Sequence, residues 1–379
     1  MKIVDYKTFV VGNPWKNWLF VKLYTDEGIT GLGEATGGLA TKPHQADIEE
    51  LARFFIGEDP CHPDKVWYKM YKGRFLKPSR GMSGVELACW DILGKSLGLP
   101  VWQLLGGKHR DRLRVYANGW YKGPREPEFF AESAAQMVKK GYTALKFDPF
   151  GGAYRQIDLK NERKAISIVQ SVREAVGPDV DVLIEGHDRF SISYAIRIGR
   201  MLEEFKPMFF ETPVNSLDLT ATIEVSRAIK VPVALGERFE RIGQFADLLT
   251  HRTIDIIQPE VIHLGLSNIK KVCGMAEAFE ALVASHQAQS PLCTAINAHL
   301  HASIPNFLIH ENFDDSLEPW TWDVLKGVPR VEKGYLSVSD TPGFGVELDE
   351  KEALHHPYGP KKFLRLFEEG WETRSPSKN

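Results

Sequence analysis

The three runs DVLIEGH (residues 181–187), MFFETPV (208–214) and VPVALGER (231–238) decide the fold of this chain. Each run is a short stretch of β-forming residues that contains a glutamate near its end, and the three glutamates follow one another at an interval of 26 residues. A strand of about five residues, a helix of about a dozen and two short loops add up to roughly that length. The interval therefore predicts a repeating βα unit, in which parallel strands alternate with helices.

The same pattern extends in both directions until eight runs are found. The other five are LRVYAN (113–118), TALKFDPF (143–150), DIIQPEV (255–261), ALVASHQ (281–287) and NFLIHEN (306–312). Segments between the runs, such as SISYAIRIGRMLEEF (191–205), carry the apolar stripe of helices that pack on the outside of a parallel sheet. Together the runs predict a protein of the α/β class with a (β/α)₈-type barrel.

A separate domain is predicted before the barrel. Three β-rich runs, separated by turn residues, come first and indicate a β-meander. Three segments with apolar residues three and four positions apart follow them, as in amphipathic helices. The predicted domains are an α+β domain (1–112), the barrel (113–330) and a loop-like C-terminal segment (331–379) that returns to the first domain. A length of 379 residues agrees with more than one domain.

Composition excludes several classes of function. The formal net charge is only −3, and the lysines and arginines are scattered among acids, so neither a nucleic-acid partner nor a membrane partner is indicated. The first residues lack the apolar core of a secretory signal, which favours a cytoplasmic location. Four cysteines lie far apart without a CxxC pair, so no zinc knuckle or disulfide framework is expected.

Three successive predicted strands end in carboxylates, namely Glu185, Glu211 and Glu237. In a parallel barrel, side chains at the carboxyl ends of the strands converge on one mouth. Three carboxylates that close repel one another unless a cation lies between them. Hard oxygen ligands suit Mg²⁺ or Mn²⁺ better than Zn²⁺. A single one of these glutamates is more commonly a surface or salt-bridge residue, but the set predicts a divalent metal site, for Mg²⁺ with Mn²⁺ as the alternative.

Acid and base candidates lie on the flanking strands. They are Lys146, His187 and His286, and His187 faces the same side of its strand as Glu185 because the two residues are two positions apart. A lone histidine usually has a structural role, whereas two at strand ends beside a metal site favour catalysis. Glu260 is placed one strand before His286, where it accepts a hydrogen bond from the imidazole. The alternative for Glu260 is a further carboxylate on the metal side.

At this point the chain resembles the enolase superfamily, and within it the mandelate racemase-like group with its acid-sugar dehydratases. The resemblance is carried by EGITGLGEAT (27–36), by SGVELACWDILGKSLGLPVWQLLGG (83–107) and by the metal glutamates, the IIQPE strand and the histidine strand in the family order. It implies a modified TIM barrel of the (β/α)₇β type with an α+β capping domain that the C-terminal segment completes. It also implies a homo-oligomer, as a dimer, tetramer or octamer.

The resemblance assigns roles to single residues. Glu185, Glu211 and Glu237 become the Mg²⁺ ligands, Glu260 and His286 the acid/base dyad, and Glu311 a hydrogen-bond partner of the substrate carboxylate or enolate. The chemistry shared by the superfamily uses a lysine or histidine base beside Mg²⁺, and the metal stabilises an ene-diolate.

Departures from the family pattern select among its reactions. Many relatives carry two lysines spaced by one residue on the second barrel strand, whereas this chain has Lys146, Phe147 and Asp148. The usual second-strand base is thus missing, which argues against a two-base racemase. His187 matches the position that serves, in galactonate dehydratase-like members, as the acid that expels the leaving hydroxyl. The fourth strand has Glu-Thr-Pro where Glu-Glu-Pro is common, and Glu260 stands where aspartate is usual.

These features predict a dehydratase of a sugar acid, an aldonate such as galactonate, gluconate, arabinonate or xylonate. His286 removes the C2 proton, and His187 protonates the C3 hydroxyl as it leaves, which yields a 2-keto-3-deoxy acid. Lys146 and Mg²⁺ stabilise the enolate. Two alternatives stay open: a cycloisomerase or epimerase that uses the same enolate, and, more remotely, a barrel that binds sugar acids without turning them over.

Further residues are expected around the substrate. Asp148 orients Lys146, binds a sugar hydroxyl or caps the loop that follows it. Asn118 and Trp120 line the pocket at the end of the first barrel strand. The loops at residues 12–18 and 37–41 are expected to close over the substrate.

Overall fold

A computed structural model describes residues 1–374 of the chain. The N-terminal part is a three-stranded antiparallel sheet followed by four helices. Its elements are β1 (Ile3–Gly12), β2 (Asn17–Thr25), β3 (Thr30–Glu34), α1 (Thr41–Phe55), α2 (Pro63–Gly73), α3 (Arg80–Leu97) and α4 (Val101–Leu104). Of the four helices, α1 and α3 pack on the sheet. The predicted meander and its three helices are confirmed. The longest of these four helices, α3, begins after the N-cap Ser79, whose hydroxyl accepts a hydrogen bond from the amide of Met82, and ends at Gly98 in the left-handed conformation.

Strands and helices then alternate through the barrel. The strands are β4 (Arg112–Ala117), β5 (Ala144–Phe147), β6 (Asp181–Glu185), β7 (Phe210–Glu211), β8 (Val233–Leu235), β9 (Ile256–Ile257), β10 (Leu282–Val283) and β11 (His310–Asn312). The helices are α5 (Pro127–Lys139), α6 (Leu159–Val176), α7 (Ile192–Leu202), α8 (Leu219–Ala228), α9 (Ile242–Thr250), α10 (Val261–Leu264), α11 (Leu266–Ala278) and α12 (Pro291–Ala302). All eight predicted strands are present.

The eight strands close into a ring. Strands β4 to β10 pair in parallel in chain order, and β11 pairs in parallel with β4. A parallel bridge between Val283 and Phe307 joins the last two strands and completes the circle. Because a helical connection follows each of the first seven strands and none stands between β11 and β4, the predicted (β/α)₇β barrel is confirmed.

One layer of side chains fills the interior of the barrel, with one residue from each strand. The layer consists of Tyr116, Ala144, Leu183, Phe209, Ala234, Ile256, Ala284 and Ile309, all of them buried. Successive residues of a strand point to opposite faces, so the residue two positions beyond each of these also points inward, one level closer to the mouth. This register determines which side chains build the site.

The capping domain is joined to the barrel by a buried carboxylate. Glu86, on α3, accepts hydrogen bonds from the amides of Leu266 and Ser267 at 2.8 and 2.9 Å and so caps the N-terminus of α11. These bonds fix the cap over the carboxyl end of the barrel, because a buried donor that loses its acceptor costs roughly 1–3 kcal/mol. A second buried carboxylate of α3, Asp91, accepts from the amides of Leu32 and Phe344 and joins α3 to β3 and to the segment that follows the barrel.

The segment that follows the barrel is more regular than its sequence predicts. It contains α13 (Thr321–Val324), β12 (Leu325–Lys326), β13 (Val331–Glu332), β14 (Tyr335–Ser337), β15 (Glu347–Leu348) and α14 (Glu350–His355). The prediction of a loop-like segment (331–379) is therefore wrong for β13, β14, β15 and α14, whereas α13 and β12 lie within the range predicted for the barrel. Strand β14 forms because it pairs antiparallel with the first half of β4, which β5 leaves free by pairing only at Ala117.

Helix α14 returns to the capping domain, where Glu350 lies 2.7 Å from the ammonium of Lys22 and 3.0 Å from the hydroxyl of Tyr24. Beyond α14 the chain turns back to the barrel mouth. No helix within residues 1–374 is both long and apolar enough to span a bilayer. The predictions for residues 375–379 lie outside the described part of the chain.

Candidate active site at the barrel mouth

Six of the predicted site residues occupy equivalent positions on their strands. Each lies two residues beyond the buried interior layer on its own strand, and so points into the barrel one level nearer the mouth. They are Asn118, Lys146, Glu185, Glu211, His286 and Glu311. These six side chains consequently converge, as the sequence predicts for strand ends.

Glu237 and Glu260 depart from this pattern. The corresponding inward positions on β8 and β9 are Gly236 and Gln258. Gly236 has a φ of +135°, and a side chain there would meet the backbone of Gln258 at 3.2 Å, so only glycine fits. The turn at Gly236 carries Glu237 to the rim. Glu260 lies further along, where its side chain caps α10 through the amide of Ile262.

Lys146 lies at the centre of the site. Its ammonium is 2.6 Å from Glu211, 2.8 Å from Glu311 and 3.2 Å from Glu185, and its side chain is 1% exposed. Burial disfavours the charge, but these carboxylates outweigh it and hold the pKa of Lys146 well above its ordinary value. Lys146 therefore stays protonated and acts as a fixed positive charge, not as a base.

The three predicted metal ligands are only partly brought together. Glu185 and Glu211 share Lys146, whereas the carboxylate of Glu237 faces His286, with its Oε2 3.1 Å from the imidazole Nε2. Among residues 1–374, no three acidic, histidine or cysteine side chains are grouped closely enough, as they stand, to hold a metal ion. The physical reason is that buried carboxylates pair with the nearest cationic group.

Two buried polar groups at the centre of the barrel nevertheless lack protein partners. Within residues 1–374, Oε1 of Glu211 accepts no hydrogen bond, and neither polar atom of the Gln258 amide has a partner. Burial, followed by repulsion from Glu185, raises the pKa of Glu211 well above its ordinary value. An extra cation beside Glu211 would offset its repulsion from Glu185 and would give Oε1 a partner. The donor set of hard oxygens therefore fits a divalent metal such as Mg²⁺.

His286 and Glu260 form the predicted dyad. Nδ1 of His286 lies 2.5 Å from Oε2 of Glu260, which leaves Nε2 directed towards Glu237 and the mouth. Burial opposes protonation of the imidazole, but Glu237 and the hydrogen bond to Glu260 outweigh it and raise the pKa of His286 to about 10. Glu260 thus fixes the ring orientation and increases its basicity.

His187 is held by a partner that the sequence did not predict. Its Nδ1 lies 2.6 Å from Oδ2 of Asp148, and the same oxygen also pairs with the buried guanidinium of Arg189. The other oxygen of Asp148 accepts from the amide of Phe150 at 2.9 Å, so the predicted loop-capping role is confirmed. Asp148 therefore orients His187, whereas one of its predicted roles was to orient Lys146. Burial lowers the pKa of His187, but Glu185 and Asp148 reverse the effect and raise it.

Glu311 and Asn118 act together. The carboxamide of Asn118 donates to Oε1 of Glu311 at 2.9 Å, and the amide of Gln287 donates to Oε2 at 2.7 Å. Trp120 differs from its prediction as a pocket-lining residue, because its indole nitrogen donates to the carbonyl of Lys146 at 3.0 Å and its ring packs on Phe147, between barrel and helices. It supports the strand that carries Lys146.

Lys16 is a site residue that sequence reasoning missed. It lies in the predicted lid loop (12–18), and its ammonium donates to the carbonyl of Ala288 at 2.5 Å and to Oε1 of Gln289 at 3.2 Å. Gln289 in turn donates to Glu260 at 3.3 Å. Burial lowers the pKa of Lys16 to about 8. No local pattern marks this lysine, because its place depends on how the capping loop meets the barrel.

The other predicted lid segment also lies at this junction. The guanidinium of Arg80 donates to the carbonyl of Thr36 at 2.7 Å, next to residues 37–41, and approaches Nε2 of His263 at 2.9 Å. Glu34, which precedes this loop, accepts from the amide of Ser290 at 3.1 Å. Both loops are thereby connected to the segment that carries His286.

Comparisons with known proteins agree with this architecture. Residues 130–352 match the family described as enolase C-terminal domain-like, and residues 12–106 match the N-terminal domain of mandelate racemase/muconate lactonizing enzymes. A D-gluconate/D-galactonate dehydratase of Picrophilus torridus is 37% identical over 89% of this chain and 88% of its own length. A D-xylonate dehydratase of Haloferax volcanii is 31% identical over 92% of this chain and 87% of its own.

A solved structure shows the same similarity. A mandelate racemase/muconate lactonizing enzyme from Sulfitobacter sp. superposes with a TM-score of 0.89 at 34% identity, covering 95% of this chain and 96% of its own. Two family models together span the cap and the barrel, and the relatives align over most of both chains. The chain therefore belongs to the enolase superfamily, in its mandelate racemase/muconate lactonizing enzyme group.

Proposed function

We propose that this enzyme is a hydro-lyase that dehydrates a sugar acid to a 2-keto-3-deoxy acid. One observation carries the proposal: two imidazoles, each held through Nδ1 by a buried carboxylate, lie at the ends of β6 and β10. In a ring of eight strands these positions are four strands apart, so His187 and His286 stand on opposite sides of the mouth. A substrate between them meets a base on one side and an acid on the other.

His286 is the base. Glu260 holds Nδ1, so Nε2 is the atom that takes the C2 proton of the substrate. Nε2 is free to do so once Glu237, the group that contributes most to the raised pKa of the imidazole, turns away from it and the ring has lost its proton. Lys16, Gln289 and Glu260 form one chain of contacts, which fixes the dyad against the capping loop. Removal of a C2 proton beside a carboxylate requires positive charge placed in advance, and the permanently protonated Lys146 supplies it.

His187 is the acid. Glu185 and Asp148 raise its pKa, which favours the protonated form, and Asp148 holds the proton-bearing ring in one orientation. It delivers a proton to the C3 hydroxyl, which leaves as water while the electron pair of the C2 carbanion forms the C2=C3 double bond. The resulting enol tautomerises to the ketone.

Glu185, Glu211 and Glu237 are the residues that would hold Mg²⁺, and Mn²⁺ satisfies the same oxygen donors. Such an ion supplies charge that lowers the energy of the enediolate. Coordination by all three requires Glu237 to turn away from His286. Glu311, fixed by Asn118 and Gln287, stays in place at the carboxylate end of the substrate, where a hydrogen bond between them requires a proton on Glu311 or on the enediolate.

The substrate is an aldonate of five or six carbons. The relatives named above are dehydratases of gluconate, galactonate and xylonate, which supports this class. A second candidate is an epimerase, because imidazoles on opposite sides of the mouth also suit removal of a proton from one face and its return to the other.

The test is a screen of acid sugars, including gluconate, galactonate, arabinonate and xylonate, with Mg²⁺ and with a chelator. We expect a 2-keto acid lighter than its substrate by one water, formed only with metal and absent with His286→Asn. A product of unchanged mass and inverted C2 identifies the epimerase. Binding without any product or C2 exchange refutes both reactions.

A further inference from the structure

Residues 367–374, here called the tail, pack on the loops that follow β4 and β5. The amide of Gly123 donates to the carbonyl of Glu372 at 3.2 Å, and the indole nitrogen of Trp371 donates to the carbonyl of Gly151 at 3.2 Å. Residue 151 lies three positions after Asp148, the carboxylate that holds His187. The tail is thereby bound to the loop that orients the proposed acid.

The contact is close enough to depend on a glycine. A Cβ at Gly152 would meet the amide nitrogen of Glu369 at 2.9 Å and the carbonyl carbon of Glu368 at 3.0 Å, both of them backbone atoms. A side chain at position 152 would therefore displace the tail. The backbone of the loop after β5 therefore packs directly against the backbone of the tail.

Trp371 is the tail residue that reaches the site. Its side chain is 6% exposed, and its ring lies perpendicular to the imidazole of His187, with the ring centroids 5.9 Å apart. Tyr121 packs against another side of the indole, with centroids 6.2 Å apart. Trp371 is therefore clamped by Tyr121 and Gly151 and presents a rigid apolar wall to His187.

We propose that Trp371 is a positioning residue for His187, which it holds in the orientation that delivers a proton to the leaving hydroxyl. Asp148 fixes one ring nitrogen, but a single hydrogen bond leaves the imidazole free to rock about that bond. The indole restricts this motion and covers one side of the imidazole, whose side chain is 21% exposed elsewhere. The inference rests on the proposed dehydration, since it assigns His187 to the second step only.

The step affected is the elimination. After His286 has taken the C2 proton, the proton on Nε2 of His187 passes to the C3 oxygen, the C3–O bond breaks, and one water leaves. Misplacement of a reacting group by about 1 Å costs up to 10²-fold in rate. Abstraction of the C2 proton takes place on the opposite side of the mouth and does not use Trp371.

The experiment separates the two steps in D₂O with the sugar acid that the wild type dehydrates. Trp371→Leu removes the wall, Trp371→Phe restores an aromatic ring without the indole N–H, and Trp322→Leu is the matched control at a half-buried tryptophan on α13. Keto-acid formation and deuterium incorporation at C2 of recovered substrate are measured for each variant with Mg²⁺.

We expect Trp371→Leu to lose keto-acid formation by about 10- to 100-fold while C2 exchange persists, with partial recovery in Trp371→Phe and wild-type rates in Trp322→Leu. Equal loss of both rates, or unchanged keto-acid formation, overturns the inference. Failure of the proposed function is distinct, because the wild type itself would then yield no keto acid from any substrate.

Discussion

Nδ1 of His187 lies 2.6 Å from Oδ2 of Asp148, and the two residues belong to neighbouring strand ends. On the far side of the mouth, Nδ1 of His286 lies 2.5 Å from Oε2 of Glu260. In both pairs a carboxylate holds Nδ1 of the imidazole, but the neighbouring charge differs in sign. The positive guanidinium of Arg189 lies beside the His187–Asp148 pair, whereas the negative carboxylate of Glu237 faces Nε2 of His286. This difference separates an acid from a base and leads to distinct expectations for each pair.

Asp148→Asn is expected to impair elimination more than proton abstraction. An amide does not stabilise the imidazolium of His187 as a carboxylate does, and loss of such a supporting residue typically costs about 10- to 100-fold. Keto-acid formation should fall by about that factor while C2 exchange in D₂O continues. Asp179→Asn, at an exposed aspartate, is the control. If exchange is lost to the same degree as elimination, Asp148 does not act through His187.

Glu260→Gln is expected to impair both steps. Without the carboxylate, the tautomer and orientation of His286 are no longer fixed, and its pKa falls from the raised value that Glu237 and Glu260 maintain. C2 exchange and keto-acid formation should decrease in parallel, which kinetic measurements in D₂O will show. Exchange at the wild-type rate would assign the base to another residue.

Glu211→Gln is expected to weaken Mg²⁺ binding and to abolish metal-dependent turnover. Among the described residues, Oε1 of Glu211 has no hydrogen-bond partner. Strand β7, which carries Glu211, lies between β6, which ends at Glu185, and β8, which precedes Glu237, so Glu211 is the central donor of the proposed set. Titration calorimetry with Mg²⁺ measures the affinity directly. Glu224→Gln, on the outer surface of α8, serves as the control. Wild-type Mg²⁺ affinity in Glu211→Gln would contradict its assignment as a ligand.

Glu372 is expected to make the stability of the folded protein depend on pH. Its side chain is 1% exposed, and burial raises its pKa from 4.5 to about 7, with Asp148 and Glu369 adding to the rise and Arg125 opposing it. Because the folded-state pKa is the higher one, its stabilising contribution is complete below about pH 4.5 and is lost as the pH rises through about 7.

Relative to Glu372→Gln, the wild type should therefore lose melting temperature between about pH 4.5 and pH 7 and change little above that range. Thermal melts of both proteins across this range provide the measurement. Glu132→Gln, at an exposed position of α5, should show no such trend. A difference between wild type and Glu372→Gln that is constant with pH would show that Glu372 keeps an ordinary pKa.

The barrel was predictable because its signals are local and periodic. Glu185, Glu211 and His286 stand two positions beyond inward-facing strand residues, and an alternation of two positions can be read from sequence. The family resemblance then supplied the cap, which local patterns alone describe only as strands followed by helices. The family and the fold class are both confirmed by the comparisons.

The contacts between distant segments were not predictable. Lys16 lies on a loop without any periodicity, and the pairing of Asp148 with His187 depends on the left-handed backbone of His187, whose φ is +49°. Trp371 directly precedes the polar stretch ETRSPSKN (372–379), which carries no pattern of a packed element. In each case tertiary packing sets the position of the side chain, so the spacing of residues along the chain does not predict it.

Lys16, on the loop between β1 and β2, and Trp371, in the tail, both lie at the barrel mouth. The two residues are 355 positions apart in the chain. During synthesis on a ribosome, a nascent chain that already contains all eight barrel strands still lacks the wall beside His187. Contacts of such long sequence separation also form late in folding, because loop closure must come first. A partly made or partly folded chain therefore holds its proposed base before the wall beside its proposed acid is in place, and the proposed dehydration is expected to reach its full rate only after residues 367–374 have docked.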